Sequence, residues 1–209
     1  MTDAQKEALD RLWTHFGIAS PSSAIDLPAL FGRDAPLSVE IGFGTGDHLA
    51  SCAQARPEWN FIGIEVHRPG VGRLLQNVEK LGLTNLRVAC HDAVEVLRDG
   101  LPAGSVDEVM IFFPDPWPKK RHHKRRLIQQ DFVQLLARVL HTGGRLRLAT
   151  DWADYGQQML AVLNAEPQFV NCASDGKFVP RPADRPLTRF ETRGLRLGHE
   201  VADLEFRRI

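Results

Sequence analysis

Short apolar runs alternate along this chain with segments in which apolar residues recur at helical spacing. The apolar runs predict five strands, at 37–41, 60–66, 85–92, 105–113 and 144–152, and a helical pattern follows each of them. A further strand is predicted late in the chain, around 201–206. Repeated strand-then-helix units are typical of a doubly wound, mostly parallel α/β sheet, and the late strand adds an antiparallel edge.

The chain ahead of the first strand follows a different pattern. Residues 3–16 predict an amphipathic helix, packed on the outside of the domain, from four apolar residues at helical spacing: Leu9, Leu12, Trp13 and Phe16. A connection rich in Pro, Ser and Gly then occupies 17–36. No internal repeat is visible, and a length of 209 residues suits a single domain over 1–209.

Composition excludes several classes of protein. The three cysteines are odd in number and lack a C-x-x-C pair, so they indicate neither a disulfide framework nor a zinc site, and no metal is expected. Apolar runs stay short of the roughly 18 residues that span a membrane, and the N-terminus, MTDAQKEALD, has no apolar signal region. We therefore expect a soluble protein in a reducing, cytoplasmic setting.

Charge is balanced overall but unevenly distributed. Lysine plus arginine equals aspartate plus glutamate at 26 each, so net charge does not bear on nucleic-acid binding. Residues 119–126, however, read KKRHHKRR, and five arginines recur at positions 181, 185, 189, 193 and 196. Cations at a helix N-terminus oppose the macrodipole, so this density ahead of a helix predicted from Leu127 favours a phosphate-binding patch over a solvated face.

The first strand leads into a glycine-rich turn with one acid before it. Gly42, Gly44 and Gly46 follow Glu40 closely, in the run LSVEIGFGTGD. A dinucleotide fingerprint requires its third glycine at position 47, where this chain has Asp47. The spacing Glu-x-Gly-x-Gly-x-Gly instead resembles the first motif of S-adenosylmethionine-dependent methyltransferases, whose ligand carries an ammonium and a sulfonium. A glycine turn without a ligand is the structural alternative.

Four more acids stand at or just after the predicted strand ends. Glu65 lies roughly 20 residues past the turn, where an acid in a βαβ unit reaches the ribose hydroxyls of a bound adenosine, unless it is only a solvated strand end. Asp92 and Asp151 each precede a helix, so capping is an alternative to ligand contact. Asp115 lies between two prolines on a stiff loop, where open α/β sheets bind ligands, although a plain Pro-rich turn is possible.

Together these segments resemble one family. The matching segments are VEIGFGTGDHL, FIGIEVHRPGVG, NLRVACHDAVEVL, FFPDPWPKKRHHKRR, ATDW and RPLTRFETRGLRLGH. They resemble the bacterial tRNA (guanine-N7-)-methyltransferases over nearly the whole chain, and FFPDPW with the basic run and T-R-F-E is highly specific. The resemblance implies a Rossmann-like class I methyltransferase fold with a mostly parallel, seven-stranded sheet and an antiparallel edge strand.

The resemblance also implies roles for particular residues. The implied S-adenosyl-L-methionine contacts are Glu40, Gly42, Gly44, Gly46, Glu65, Asp92 and Asp115, and Asp115 is also the implied catalytic residue. The implied substrate contacts are Lys119, Asp151, Thr188, Arg189, Phe190 and Glu191. The implied tRNA contacts are Arg121, His122, His123, Lys124, Arg125 and Arg126. Residues 1–36 then form an N-terminal helix and connection, 37–165 the cofactor-binding core, and 166–209 the substrate side.

The implied activity is transfer of a methyl group to N7 of a guanine in the variable loop of tRNA. Two alternatives stay open: an amino-group methyltransferase, whose Asp/Asn-Pro-Pro-Tyr/Trp motif resembles the Asp115 segment but has a second proline, and a non-catalytic tRNA-binding subunit. Many family members carry a basic arm ahead of the first helix, whereas this chain begins MTDAQKEALD. Monomer and homodimer are both compatible with the sequence.

Overall fold

The structure is a computed structural model that describes residues 1–19, 23–183, 185, 191 and 200–209. Its helices are α1 (Asp3–Phe16), α2 (Leu27–Phe31), α3 (Asp47–Ala55), α4 (Arg68–Leu81), α5 (Ala93–Glu95), α6 (Gln130–Val139) and α7 (Ala153–Ala165). A π-helical turn, Val96–Gly100, follows α5, and a 3-10 helix spans Lys120–Arg125. The strands are β1 (Gly17–Ile18), β2 (Leu37–Ile41), β3 (Asn60–Ile64), β4 (Leu86–Ala89), β5 (Val106–Phe112), β6 (Leu140–Thr150), β7 (Phe169–Asn171) and β8 (Ala202–Arg208).

All eight described strands form one mixed sheet in the order β1-β4-β3-β2-β5-β6-β8-β7. The first six strands in this order are parallel, and β8 and β7 pair antiparallel at the far edge. Strand β2 is central: Glu40 pairs with Gly63 of β3 on one side and with Met110 of β5 on the other. The chain order reverses at this strand, and a ligand site is expected beyond its carboxyl end.

The predicted doubly wound α/β class and the antiparallel edge are confirmed, but three details were wrong. The described sheet has eight strands rather than seven, because the two-residue β1 lies in the connection predicted as a loop. The helix predicted from Leu127 begins at Gln130, because the preceding Gln129 is extended. That helix ends at Val139, and the strand predicted from residue 144 begins directly after it, at Leu140.

Both faces of the sheet are covered by helices. On one face, β3 contributes Phe61 to a buried cluster with α1, α3 and α4, and on the other it contributes Ile62 and Ile64 to a cluster with α6 and α7. Helix α1 packs on α4 so closely that a Cβ on Gly72 would lie 2.5 Å from the carbonyl oxygen of Gln5. None of the helices in the described ranges is long and apolar enough to cross a membrane.

Candidate functional site

The acids singled out in the sequence lie at one edge of the sheet. Strands β4, β3, β2, β5 and β6 are parallel neighbours in that order, so their carboxyl ends share an edge. Asp92, Glu65, the glycine turn, Asp115 and Asp151 follow these five strands in turn. The topology therefore brings together residues that are up to 109 positions apart in the sequence, from Gly42 to Asp151.

The glycine turn (residues 42–46) needs its glycines. Gly42, Gly44 and Gly46 have φ angles of 73°, 59° and 73°, in the left-handed region that L-residues rarely adopt. A Cβ on Gly46 would lie 2.7 Å from Leu74 of α4, whereas Cβ atoms on Gly42 and Gly44 would meet nothing within 4 Å. The first two glycines thus keep an open surface at the end of β2, and the third allows α3 to pack on α4.

Glu40 lies under this turn and is paired. Its side chain is only 5% exposed, and Oε2 lies 2.8 Å from Nδ1 of His48, the second residue of α3. Burial by itself would lower the pKa of His48, but the Glu40 carboxylate and the hydrogen bonds to Glu40 and Cys52 raise it to about 10. The sequence reasoning missed His48, although a histidine eight positions after a buried acid was the available signal.

Glu65 fastens the glycine turn to the start of α4. Its carboxylate accepts hydrogen bonds from the backbone N–H of Gly44 and of His67, each at 3.0 Å. A Cβ on Gly70 would lie 2.1 Å from the carbonyl oxygen of Gly44, so only glycine permits this approach. Gly70 was also missed by the sequence reasoning. A solvated strand end does not describe Glu65, because both of its oxygens accept hydrogen bonds from the turn and from α4.

Asp92 caps α5, as the structural alternative for this residue predicted. Its Oδ1 accepts a hydrogen bond from the N–H of Val94 at 2.8 Å. The residue is nevertheless exposed at the same edge as Glu65, and the cap does not use Oδ2. The capping role therefore leaves an oxygen for a ligand.

The loop that carries Asp115 (residues 113–118, the Asp115 loop) has an unusual backbone. Phe113 and Trp117 have φ angles of 53° and 44°, although neither is glycine. Such conformations cost about 1–3 kcal/mol each and persist where the surroundings enforce them, commonly at functional sites. Asp115 lies between these two residues and is exposed. The loop therefore presents one carboxylate on a backbone with little freedom.

Contacts from two sides hold the Asp115 loop. At its start, the N–H of Phe113 donates to the carbonyl oxygen of Ala149 in β6, at 2.8 Å. At its end, the Trp117 ring lies under the Arg125 guanidinium, 5.0 Å from the ring centroid, and meets the ring of His122 edge-on at 6.0 Å. The loop is thereby joined to the sheet on one side and to the basic segment on the other.

Most of the basic segment (residues 119–126) lies in the 3-10 helix Lys120–Arg125, which is separate from α6. Lys119, Arg121, Lys124 and Arg125 are exposed, and His122 and His123 are partly buried. Since α6 begins only at Gln130, the cations do not lie in the first turn of that helix. The helix-dipole part of the sequence argument does not apply, whereas the exposed positive charge next to the Asp115 loop remains.

Arg126 departs from the rest of that segment and from its predicted RNA-binding role. Its side chain is 1% exposed. The guanidinium donates to the carbonyl oxygen of Pro116 at 2.8 Å and to the side chains of Gln158 and Asp154 at 2.6 Å each. It also stacks on Tyr155, 4.8 Å from the ring centroid. Arg126 therefore fastens the Asp115 loop to α7, and a phosphate could not reach it without breaking these contacts.

Of the predicted substrate contacts, some are described by the structure and others are not. Asp151 follows β6 at the shared edge, and the N-cap position of α7 belongs to Trp152, so Asp151 is not the cap. Thr188, Arg189 and Phe190 lie outside the described residues.

Glu191 is described and lies in a buried network of ion pairs. Its carboxylate forms ion pairs with Arg185 at 2.7 Å and with Arg181 at 2.9 Å, and its side chain is 1% exposed. Arg185, whose side chain is fully buried, also meets Asp203 of β8 at 2.8 Å. Its guanidinium faces the Phe113 ring at 5.7 Å. The network thus connects Glu191 to the sheet edge and to the Asp115 loop, and Glu191 is not an open surface contact.

The chain is similar to known proteins over nearly its whole length. A family profile described as "Putative methyltransferase" matches residues 34–204. The tRNA (guanine-N(7)-)-methyltransferase of Leifsonia xyli subsp. xyli is 56% identical over 206 residues, covering 99% of this chain and 91% of that protein. The protein of the same name from Halorhodospira halophila is 55% identical over 208 residues, covering 99% and 90%. A solved structure of the 16S rRNA methyltransferase KamB matches with a TM-score of 0.65 at 14% identity, covering 88% and 93%, which shows a shared fold.

Proposed function

The chain belongs to the tRNA (guanine-N7-)-methyltransferase family, and from that premise we propose that it uses S-adenosylmethionine to methylate N7 of a guanine in the variable loop of tRNA. One observation carries the proposal. The Asp115 loop, with its two positive φ angles, holds an exposed carboxylate between the glycine turn and a run of exposed cations. An enzyme that modifies a base of RNA needs a cofactor site, a group that contacts the base and a surface that binds phosphates next to one another.

The residues at the sheet edge fit S-adenosylmethionine. Gly42 and Gly44 leave open the surface that a Cβ would otherwise occupy. Glu65 and Asp92 supply acceptors for ribose and base, and Glu40 supplies negative charge for an ammonium. When bound, this cofactor supplies an electrophilic methyl group on a sulfonium.

Guanine N7 carries its lone pair in the plane of the ring, so the reaction needs no general base. The protein's contribution is to hold N7 in line with the methyl group, and such positioning can supply roughly 7–11 kcal/mol of the barrier. The rigid backbone of the Asp115 loop suits this task, because it is fixed to β6 at Phe113 and to α7 through Arg126. Little reorganisation is then needed when the base arrives.

We assign Asp115 to the reacting guanine. Its carboxylate accepts hydrogen bonds from N1–H and the exocyclic amine, and it stabilises the positive charge that the purine gains as the methyl group is transferred. A charge placed in advance where charge develops is the usual source of large electrostatic catalysis. A guanine-bound structure with Asp115 beyond hydrogen-bond reach would remove this assignment.

The proposed RNA contacts are side chains of the basic segment that are not buried. Five side chains of the basic segment would contact the tRNA backbone: Arg121, His122, His123, Lys124 and Arg125. Lys119, Asp151 and residues 188–190 would contact the substrate, and the buried Glu191 would support this part of the site through its ion pairs with Arg181 and Arg185. Because phosphate contacts position and base contacts specify, the pocket around Asp115 selects the guanine. A cytoplasmic location is part of the same proposal.

The test is to incubate the protein with bulk tRNA and labelled S-adenosylmethionine and then cleave the RNA at N7-methylguanosine. Cleavage in the variable loop is the expected result. Label on an exocyclic amine would favour the amino-group methyltransferase instead. Absence of both label transfer and calorimetric cofactor binding would favour a non-catalytic subunit.

Glu65→Ala is expected to weaken cofactor binding by about 1.5–3 kcal/mol, the usual range for hydrogen bonds to a charged group. Part of the loss comes from the turn, because the carboxylate also holds the N–H of Gly44. Glu65→Gln separates the loss of charge from the loss of the hydrogen bond to the turn, because glutamine is neutral but keeps an oxygen that can accept from the N–H of Gly44. Calorimetric titration of S-adenosylmethionine measures both variants. Wild-type affinity in Glu65→Ala would return this residue to a purely structural role.

The double variant Arg121→Ala, Lys124→Ala is expected to weaken tRNA binding and to flatten its salt dependence. Each lost duplex phosphate contact removes about 0.9 from the slope of log affinity against log salt, so the expected change approaches about 2. Arg126 is left intact because it is buried. Lys6→Ala with Lys80→Ala, two exposed lysines on α1 and at the end of α4, is the matched control. Equal slopes in the two double variants would place the RNA elsewhere.

A further inference from the structure

His48 and Glu40 form a buried ion pair directly under the glycine turn. The two side chains are 9% and 5% exposed, and Nδ1 of His48 lies 2.8 Å from Oε2 of Glu40. Glu40 belongs to β2 and His48 to the first turn of α3, so the pair bridges the turn from both ends. The pair does not use Oε1 of Glu40.

Groups from three elements hold the imidazole ring. Nε2 lies 3.4 Å from Sγ of Cys52, one helical turn later on α3. The Phe112 ring at the end of β5 meets the imidazole edge-on, with the centroids 5.2 Å apart. In the described part of the chain, Glu40 from β2 and Cys52 from α3 are the titratable groups that act on His48, and β5 contributes only an aromatic face.

The charged imidazole does not stabilise α3, but it favours the ionised form of a buried carboxylate beside it. A positive charge in the first turn of a helix opposes the macrodipole. A buried carboxylate without a partner, by contrast, loses its hydration and takes up a proton at a raised pKa. Glu40 stands two residues before Gly42, so its charge state decides what the turn offers to a cationic ligand.

Resting on the function proposed above, we infer that His48 is a positioning residue for cofactor binding: it keeps Glu40 ionised and fixes its carboxylate toward the ammonium group of the cofactor. His48 touches neither the methyl group nor the guanine in this scheme. It acts through Glu40 alone, and its effect is on affinity.

The direction of the pKa of His48 agrees with this role. Raised to about 10 from 6.5, it leaves the ring charged throughout the neutral range. The sign follows from linkage: the stability that His48 contributes is complete below 6.5 and is lost as the pH rises through about 10. Glu40 therefore has a cationic partner at every pH at which the enzyme would work.

The test is calorimetric titration of S-adenosylmethionine into the full chain between about pH 6 and about pH 8.5, a window around the ordinary histidine pKa. Wild type is expected to bind with nearly constant affinity. His48→Gln is expected to bind about tenfold or more weakly at the acid end and to approach wild type at the alkaline end, because removal of a nearby cation disfavours the charged form of a buried carboxylate. Affinity lowered equally at every pH would overturn the inference.

Matched variants separate charge from hydrogen bonding. His48→Asn places a neutral amide nitrogen near the position of Nδ1 and is expected to show the same pH dependence at smaller amplitude. In a Glu40→Gln background, His48→Gln is expected to change nothing further. If His48→Asn behaves as wild type at every pH, the imidazolium charge has no part in binding.

One further readout, NMR of the imidazole nitrogens, tests the inference without a variant. The imidazole nitrogens of His48 in wild type, followed by NMR, are expected to keep both protons to above about pH 9, and titration near the ordinary value of about 6.5 would overturn the inference without any variant. Wild type that fails to bind S-adenosylmethionine at all would instead remove the proposed function. Wild type that binds, alongside variants without pH dependence, removes only the role of His48.

Discussion

Asp115→Ala is expected to abolish methyl transfer while leaving S-adenosylmethionine affinity mostly intact. The carboxylate faces the reacting base in the proposed arrangement, and the loss of one preorganised electrostatic partner typically costs about 100-fold to 1,000-fold in kcat. Loss of the orienting hydrogen bonds to the guanine adds a positioning penalty. Single-turnover transfer of labelled methyl to tRNA measures the effect, and calorimetric titration measures cofactor affinity in the same variant.

The backbone around Asp115 makes a matched control necessary. Phe113 and Trp117 hold positive φ angles on either side, so a substitution could act by relaxing the loop rather than by removing charge. Asp115→Asn keeps the size and one acceptor, and it is expected to lose most of the activity as well, since the amide carries no charge. Normal turnover at saturating cofactor with a large rise in Kd would reassign Asp115 to cofactor binding.

The sequence predicted an element correctly where a local pattern of apolar or capping residues marks its ends. The bounds of α1 agree with the prediction because a capping box at Thr2 and Gln5 starts the helix where the apolar stripe begins. Strand β1, with two residues, has no period to detect. Helix α6 begins three residues later than predicted, and just ahead of it the N–H of Ile128 donates to the hydroxyl of Tyr155, a partner 27 positions away that no local pattern reveals.

The candidate site divides in the same way. That Glu65, Asp92 and Asp115 share an edge was predictable, because each follows a parallel strand. Their partners were not predictable, since side-chain contacts at long sequence separation leave no periodic trace. Arg126 stands at the end of a basic run as if it faced RNA, yet the structure commits it to Asp154 and to the Asp115 loop. Composition alone cannot separate such an arginine from its exposed neighbours.

Arg185 is the second residue whose loss is expected to have a large effect, in this case on stability. Its guanidinium is fully buried and compensates two buried carboxylates, Glu191 at 2.7 Å and Asp203 at 2.8 Å. Removal of one partner from a buried ion pair costs about 3–5 kcal/mol, because a buried charge is left uncompensated. Arg185→Met is therefore expected to lower the free energy of unfolding by about that amount, as measured by urea titration followed by circular dichroism.

Arg181→Met is the matched control, since Arg181 pairs with the same Glu191 but is 39% exposed, and an ion pair with an exposed partner contributes about 1 kcal/mol or less.

The pH dependence of the stability deficit in Arg185→Met separates lost charge from lost packing. Burial alone would raise the pKa of Glu191, but Arg185 and Arg181 hold it below its ordinary value of 4.5, so its stabilisation is complete above 4.5 and is lost as the pH falls through the lowered value. In Arg185→Met that carboxylate loses its main partner and its pKa rises, so the deficit relative to wild type is expected to be largest near neutral pH and to shrink toward about pH 5. A deficit that stays constant over this range would mean that Arg185 acts by filling space between β8 and the Asp115 loop rather than by its charge.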